Sequence, residues 1–165
     1  MKDAEYWIEK LKLLPHPEGG YYKETYRSEE IINRDHLPQR FKGHRNISTS
    51  IFYLIHNGQF SKLHRIKSDE LWHFYDGCGL IIYSIDKNGK LTENRLGINA
   101  EEGESPQILI KAGDWFGAKV SKPDSYCLAG CTVSPGFHFE DFEMGNREEL
   151  TKLFPEHISI INDFT

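Results

Sequence analysis

The chain has 165 residues, of which 38% are hydrophobic and 27% charged, and its formal net charge is −5 at pH 7. This length and composition predict one globular domain over residues 1–165 and exclude a disordered protein. The negative charge argues against a nucleic-acid partner, and the lack of both an apolar run of about 20 residues and a signal-like N-terminus predicts a cytoplasmic protein away from membranes.

A short helix is followed by a long β-rich region. Asp3 can cap a helix from Ala4 to about Leu13, in which apolar residues recur at helical spacing. Beyond it, short aromatic and β-branched runs separated by turn residues predict antiparallel strands. The predicted strands are Tyr21–Tyr26, Ile47–His56, Glu70–Tyr75, Leu80–Ile85, Ile108–Ile110, Tyr126–Val133 and Phe137–Glu143. Asn57-Gly58 and Asp86–Gly89 predict tight hairpin turns.

Three other segments carry weaker signals. Residues 28–45 are polar and long for a hairpin loop, so we expect a flap or an oligomer arm there. Near the C-terminus, Asn146 predicts the cap of a short helix that ends before Pro155. The cysteines Cys78, Cys127 and Cys131 are an odd number in a chain without a secretion signal, which predicts free thiols.

The most informative motif is GQFSKLHRIKSDELWHFYDG, which runs from Gly58 to Gly77. It resembles the first motif of the cupin superfamily, in which two histidines and a glutamate between flanking glycines ligate a metal. In this chain His64 and Glu70 match, and Ile66 stands at the second histidine position.

The resemblance extends over nearly the whole chain. The segments LPHPEGGYYKETYRS, SDELWHF, AGDWFGA and GCTVSPGFHFEDFEM together resemble the fifth-numbered cupin domain family, which is largely of unknown function. This resemblance implies a mainly β fold, a double-stranded β-helix or jelly-roll barrel with an N-terminal and a short C-terminal helix. It also implies a barrel similar to that of the dTDP-sugar epimerases, and a homodimer.

Two interpretations of His64 and Glu70 follow, one catalytic and one not. In the first, His64 is a general base that Glu70 orients, and the reaction is metal-free proton abstraction next to a carbonyl, as in a sugar isomerase or epimerase. In the second, the two side chains are a buried polar pair that only lines a binding pocket. Alternation along the strand predicts that Glu70 and Trp72 face this pocket with His64, and that His73 faces the other way.

His64 and Glu70 are also the only candidate metal ligands at motif positions. Catalytic metal sites in proteins normally use three protein ligands, and the second cupin motif supplies no histidine here. We therefore expect no cofactor, with a divalent metal as the alternative.

Further residues are candidates for ligand contacts. Aromatic side chains stack on small molecules, and about two of the aromatic candidates are expected to line the cavity. The ligand-binding candidates are Arg65, Trp72, His73, Trp115, Tyr126 and Phe137.

Three functional hypotheses remain open at this point. The chain binds a small polar molecule, such as a sugar or sugar phosphate, and isomerises it. Alternatively, it is a metabolite-binding module without catalysis, or a metal-dependent cupin enzyme.

Overall fold

The structure is a computed structural model in which residues 2–165 are described. The helices are α1 (Ala4–Leu11), α2 (Arg147–Leu153) and α3 (Ile158–Asp163). The strands, in chain order, are β1 (Leu14–Pro15), β2 (Tyr21–Arg27), β3 (Ile31–Ile32), β4 (Arg45–Asn46), β5 (Thr49–His56), β6 (Phe60–Arg65), β7 (Asp69–Gly77), β8 (Leu80–Ile85), β9 (Leu91–Leu96), β10 (Gln107–Ile110), β11 (Trp115–Val120), β12 (Tyr126–Ser134) and β13 (Glu143–Met144).

Two antiparallel sheets form the body of the molecule. The larger has the order β1-β2-β5-β12-β7-β10 and the smaller the order β13-β6-β11-β8-β9, while β3 and β4 pair separately. Most neighbouring strands in each sheet are far apart in sequence, as in a jelly roll. The predicted mainly β jelly-roll fold with an N-terminal helix and a short C-terminal helix is confirmed.

The main core lies between the two sheets. Tyr53, Trp72 and Phe116 fill it, and the inward positions of β12 are small residues that leave room for these rings. A second cluster, around Leu150 and Phe164, packs α2 and α3 on the smaller sheet. The helix α1 covers part of the outer face of the larger sheet, which explains why β5 is apolar on both faces.

The ends of the helices follow the predicted caps. Asp3 accepts a hydrogen bond from the backbone N–H of Tyr6, and Asn146 accepts one from the N–H of Glu149. The first helix ends at Leu11 rather than near Leu13, because Lys12 adopts a left-handed conformation with φ of 55°. Turns are present at both predicted places. The one at Asp86–Gly89 closes the predicted hairpin between β8 and β9, but the hairpin predicted at Asn57-Gly58 is wrong, because that turn leads from β5 to β6 in the other sheet.

One predicted strand is wrong, and three six-residue strands were missed in addition to the two-residue strands β1, β3 and β4. Over Phe137–Glu143 the chain forms a 3-10 turn, Phe139–Asp141, and only then the short β13. The aromatic side chains of this segment pack on one another instead of alternating between two faces. The missed six-residue strands are β6, β9 and β11, of which β9 is a polar edge strand with little alternation of hydrophobicity.

The segment 28–45, expected to be a flap or an oligomer arm, is folded against the rest of the chain. It contains β3, a 3-10 turn at Arg34–His36 and the start of β4. The guanidinium of Arg45 is buried against Asp141 and ties the segment to the loop before β13.

The structure can be compared with the predictions on membrane-spanning helices and on the cysteines. No helix within residues 2–165 has the length and apolar character needed to cross a membrane. Cys78, Cys127 and Cys131 are free, as predicted. The cytoplasmic location and the homodimer stay predictions.

Candidate functional site

A cavity of about 530 Å³ opens at one end of the space between the sheets. Its walls are mostly aromatic and aliphatic, and a few polar side chains converge on its inner end, which is the usual composition of a small-molecule site. The aromatic residues are Tyr22, Tyr53, Trp72, Phe137, Phe139 and Phe142. The buried or half-buried polar residues at the inner end are His16, Glu18, His64, Glu70 and Cys131.

The turn between β1 and β2 brings two of these polar groups into the cavity. Gly19 and Gly20 have φ of 112° and 70°, and a Cβ at either position would collide with the backbone of Phe60 or Leu54. The turn therefore lies directly against β5 and β6, and the carbonyl of Glu18 accepts a hydrogen bond from Lys62 N at 2.8 Å. This close approach holds the Glu18 side chain in the core.

His64 and Glu18 form a buried pair. His64 Nε2 lies 3.1 Å from Glu18 Oε2, and His64 Nδ1 lies 2.7 Å from the carbonyl oxygen of Lys62. A carbonyl oxygen only accepts, so Nδ1 carries a proton. The 3.1 Å separation of Nε2 and Glu18 Oε2 places the ring and the carboxyl in direct electrostatic contact inside the cavity wall.

His16 is next to this pair, and its ring is neutral. Its Nδ1 accepts a hydrogen bond from the backbone N–H of Glu18 at 3.3 Å, which places the ring proton on Nε2. Burial lowers the pKa of His16, against a smaller upward effect of Glu18 and with a further downward effect of His64. His16 is therefore a neutral imidazole whose Nε2–H is a donor.

Glu70 is a buried acid. Burial, followed by repulsion from Glu18, raises the pKa of the Glu70 carboxyl to about 8, while a hydrogen bond from Cys131 acts in the opposite direction. At pH 7 the side chain is mostly neutral and can donate a hydrogen bond.

The predicted orientation of His64 by Glu70 is wrong, because the carboxylate that contacts His64 is Glu18. Both His64 and Glu70 do line the cavity, as does Trp72. His73 faces away, where its ring contacts Thr132 and Gln107, as the alternation along β7 predicted.

Of the predicted ligand contacts, Trp72 and Phe137 line the cavity and the others do not. Arg65 pairs with Glu143 and lies over the ring of Trp115 at 4.4 Å, on the outside of the smaller sheet. Trp115 itself belongs to the cluster that packs α2 and α3.

Tyr126 also lies outside the cavity. Its hydroxyl donates to Asp76 Oδ2 at 2.9 Å, and Trp7 of α1 donates to the same oxygen at 2.8 Å. Tyr126 therefore fixes α1 to the larger sheet, which is a structural role.

The side chains at this site do not fit a metal ion. Ile66, at the position of the second motif histidine, is an apolar part of the cavity wall. Both ring nitrogens of His64 already face protein oxygens. Within residues 2–165, no group of three or more His, Cys, Asp or Glu side chains has an arrangement that could hold a metal.

Sequence reasoning missed His16 and Glu18. The signal was present in HPEGG, where a histidine and a glutamate directly precede two glycines. Two adjacent glycines indicate a tight turn, and such a turn can carry the side chains that precede it into the core.

Comparison with known proteins identifies the family. The model of the family described as Cupin superfamily (DUF985) matches residues 5–145, so the chain belongs to this family. An uncharacterized protein of Saccharomyces cerevisiae, YML079W, is 29% identical over 155 residues, which are 88% of this chain and 76% of the yeast protein.

Solved structures agree with the fold. Protein SO0799 from Shewanella oneidensis superposes with a TM-score of 0.90 at 37% identity, covering 100% of this chain and 98% of that one. A hypothetical protein from Leishmania major gives 0.88 at 32% identity and 99% coverage of both chains. Oxalate decarboxylase from Bacillus subtilis gives 0.55 at 14% identity, covering 92% of this chain and 36% of the enzyme, which is a likeness of fold.

Proposed function

We propose that this cupin-family chain binds a small polar molecule in the cavity and moves a proton on that molecule through the pair His64–Glu18. The observation that supports the proposal is the 3.1 Å contact between His64 Nε2 and Glu18 Oε2 in the cavity wall. An imidazole and a carboxyl side by side in a cavity wall are the groups that general acid–base catalysis most often uses. Sugars and sugar phosphates are the ligands that the sequence predicts.

The proposed reaction is an isomerisation next to a carbonyl. The Glu18 carboxylate removes a proton from the ligand carbon beside the carbonyl, and His64, hydrogen-bonded to Lys62, stabilises the pair in either protonation state. The negative charge develops on the carbonyl oxygen, and the neutral Glu70 can donate a hydrogen bond to it. Glu18 then delivers its proton to the former carbonyl carbon, while Glu70 protonates the former carbonyl oxygen and takes up the hydroxyl proton of the neighbouring carbon, so that both acids return to their starting states.

Exchange of ligand hydrogen with solvent tests the proposal. Sugars and sugar phosphates are first screened for binding by thermal shift, and those that bind are incubated with the protein in D2O at pH 7. We expect loss of the proton signal beside the carbonyl in NMR spectra. His64→Gln and Glu18→Gln should each slow this loss by about 100-fold or more, because general acid–base catalysis contributes about 10²–10⁴-fold.

His73→Gln is the matched control, because His73 lies on the outer face of β7 and should leave the exchange rate unchanged. A ligand that binds without any hydrogen exchange would contradict the catalytic part of the proposal. Elemental analysis of the untagged protein adds a second check. About one transition-metal ion per chain, lost in His64→Gln, would contradict a metal-free reaction.

The second candidate function is a metabolite-binding module without catalysis. It is favoured by the internal satisfaction of the pair, since His64 Nδ1 bonds Lys62 and Glu18 Oε1 accepts from Ser61 Oγ at 2.9 Å. Such groups can serve only to shape the pocket. This candidate predicts tight binding, no hydrogen exchange, and equal affinity in the wild type and in His64→Gln.

A further inference from the structure

The polar groups at the inner end of the cavity differ in how many contacts they already make with other protein groups. His64 and Glu18 form an ion pair with Nε2 and Oε2 3.1 Å apart, and each is hydrogen-bonded to β6, His64 through the carbonyl of Lys62 and Glu18 through the hydroxyl of Ser61. Both side chains are therefore already engaged within the protein. Ligand recognition therefore falls largely to the remaining polar groups.

Two remaining groups are N–H donors without an acceptor. His16 carries its ring proton on Nε2, because Nδ1 accepts from the backbone N–H of Glu18, and within residues 2–165 Nε2 forms no hydrogen bond. Trp72 is 1% exposed and borders the cavity, and its Nε1–H is buried with no hydrogen-bond partner in the described part of the chain. For Trp72, whose unpaired donor is buried, a ligand acceptor would remove a desolvation cost, whereas His16 is partly exposed and can donate to the same acceptor.

The surroundings of these donors suit a flat, mostly apolar molecule. His16 is packed edge-on against Tyr22 and Tyr53, with ring centroids 4.5 and 5.9 Å away, and Tyr53 is packed edge-on against Trp72. A sugar would need polar partners around its whole perimeter, whereas these walls offer ring faces and edges.

We infer that the inner end of the cavity is a subsite for a planar oxygen acceptor, a carbonyl or carboxylate, on a small ligand with an apolar or aromatic body. His16 Nε2–H is its principal donor and Trp72 Nε1–H the second. The inference rests on the proposed function only in that the cavity binds a small molecule. By requiring an apolar or aromatic body, it replaces the sugars that the sequence predicts. The subsite favours an acceptor over an ammonium group, because Glu18 is paired with His64 and the nearby Glu70 carboxyl is mostly neutral at pH 7.

Three probes of similar size test this subsite: phenylacetate as the carboxylate, acetophenone as the carbonyl, and 2-phenylethylammonium as the donor-only cation. Affinities are measured by titration calorimetry at pH 7. We expect phenylacetate, acetophenone or both to bind more tightly than the cation. The bound one should weaken about tenfold in His16→Leu, the loss expected for one hydrogen bond of about 1.4 kcal/mol.

Two variants keep the test specific. His16→Gln retains an amide N–H donor at about the position of Nε2, so it should restore most of the affinity that His16→Leu loses. His73→Leu makes the same substitution on the outer face of β7 and should bind like the wild type. Melting temperatures of all variants identify any loss of affinity that comes from unfolding.

The indole N–H of Trp72 gives an independent readout. Its resonance in an amide-type NMR correlation spectrum is assigned by its absence in Trp72→Phe, and it should move on addition of the acceptor probe and stay in place with the cation. Equal binding of all three probes, no binding of either acceptor probe, or equal affinity in His16→Leu and the wild type would overturn the inference.

The outcome can be separated from that of the proposed function. Binding of acceptor probes without hydrogen exchange on any ligand supports the subsite and rejects the catalysis. Hydrogen exchange on a sugar, with no binding of phenylacetate or acetophenone, supports the catalysis and rejects the subsite.

Discussion

The molecule contains two buried ionic arrangements that differ in how fully their hydrogen bonds are used. Arg45 and Asp141 form a bidentate pair with distances of 2.6 and 2.7 Å, and their side chains are 2% and 3% exposed. Lys67 and Glu140 stand near its ends, each 3.5 Å from a partner. Every charge in this pair faces an opposite charge, and it joins the segment 28–45 to the loop 137–142.

The polar groups in the cavity are less fully paired. Here Glu18 and Glu70 are close enough to repel each other, His16 is kept neutral, and two N–H donors have no acceptor within residues 2–165. A protein that needed only stability at this place would do better with apolar side chains. We infer that the Arg45–Asp141 pair holds two segments together, whereas the polar groups of the cavity are arranged for a ligand.

The largest effect is expected from breaking the complete pair. Arg45→Met leaves Asp141 buried with only the partly exposed Lys67 nearby, and should lower the free energy of unfolding by about 3–5 kcal/mol. Urea denaturation measures this change. Arg65→Met is the control, because it removes an exposed pair with Glu143 and should cost no more than about 1 kcal/mol. Equal losses in the two variants would contradict the structural role of Arg45.

A gain in stability is expected when the buried acid is removed. The pKa of Glu70 is about 8 in the folded protein and near 4.5 when exposed, so the folded state holds a proton that the unfolded state releases between these pH values. The contribution of the protonated Glu70 carboxyl to the free energy of unfolding is therefore fully present below about pH 4.5 and is lost as the pH rises to about 8. Glu70→Gln has no carboxyl to ionise and does not lose stability in this way, so it should be more stable than the wild type by about 2–4 kcal/mol at pH 8.

The test of this prediction is the difference in unfolding free energy between wild type and Glu70→Gln from pH 5 to pH 9. His16 has a lowered pKa, so its own contribution falls as the pH decreases below 6.5, but it is common to both proteins and largely cancels in the difference. A difference that does not change with pH would show that Glu70 is ionised in the folded protein at neutral pH.

The fold and half of the site could be predicted from the sequence because their signals are local. Alternation along β7 was enough to place Glu70 and Trp72 inward and His73 outward. The turn residues around Gly58 and Gly89 were enough to place two turns, of which the one at Gly89 closes a hairpin. In contrast, the loop around Phe139 has the composition of a strand, and only its packing against other aromatic rings decides its shape.

The partner of His64 could not be predicted by such reasoning. Glu70 is near His64 in the sequence, whereas Glu18 reaches it from a turn before β2 that lies against β6 in the fold. Nothing in the local pattern around His64 distinguishes these two carboxylates. The distinction depends on how the β1–β2 turn docks on the smaller sheet, which is a property of the tertiary structure.

The smallest effect measures the coupling inside the cavity. Glu18 is the second cause, after burial, of the raised pKa of Glu70, so Glu18→Gln should lower the pKa of Glu70 without returning it to its ordinary value. Loss of the contact with His64 should also cost about 1 kcal/mol of stability. The carboxyl carbon resonance of Glu70, followed by NMR against pH, reports its titration directly. Glu24→Gln, an exposed carboxylate at the mouth that pairs with Arg27, is the control and should leave the titration unchanged. If Glu18→Gln also leaves it unchanged, the two carboxyls are not coupled, and the cavity would resemble the complete pair at Arg45 more closely than its geometry indicates.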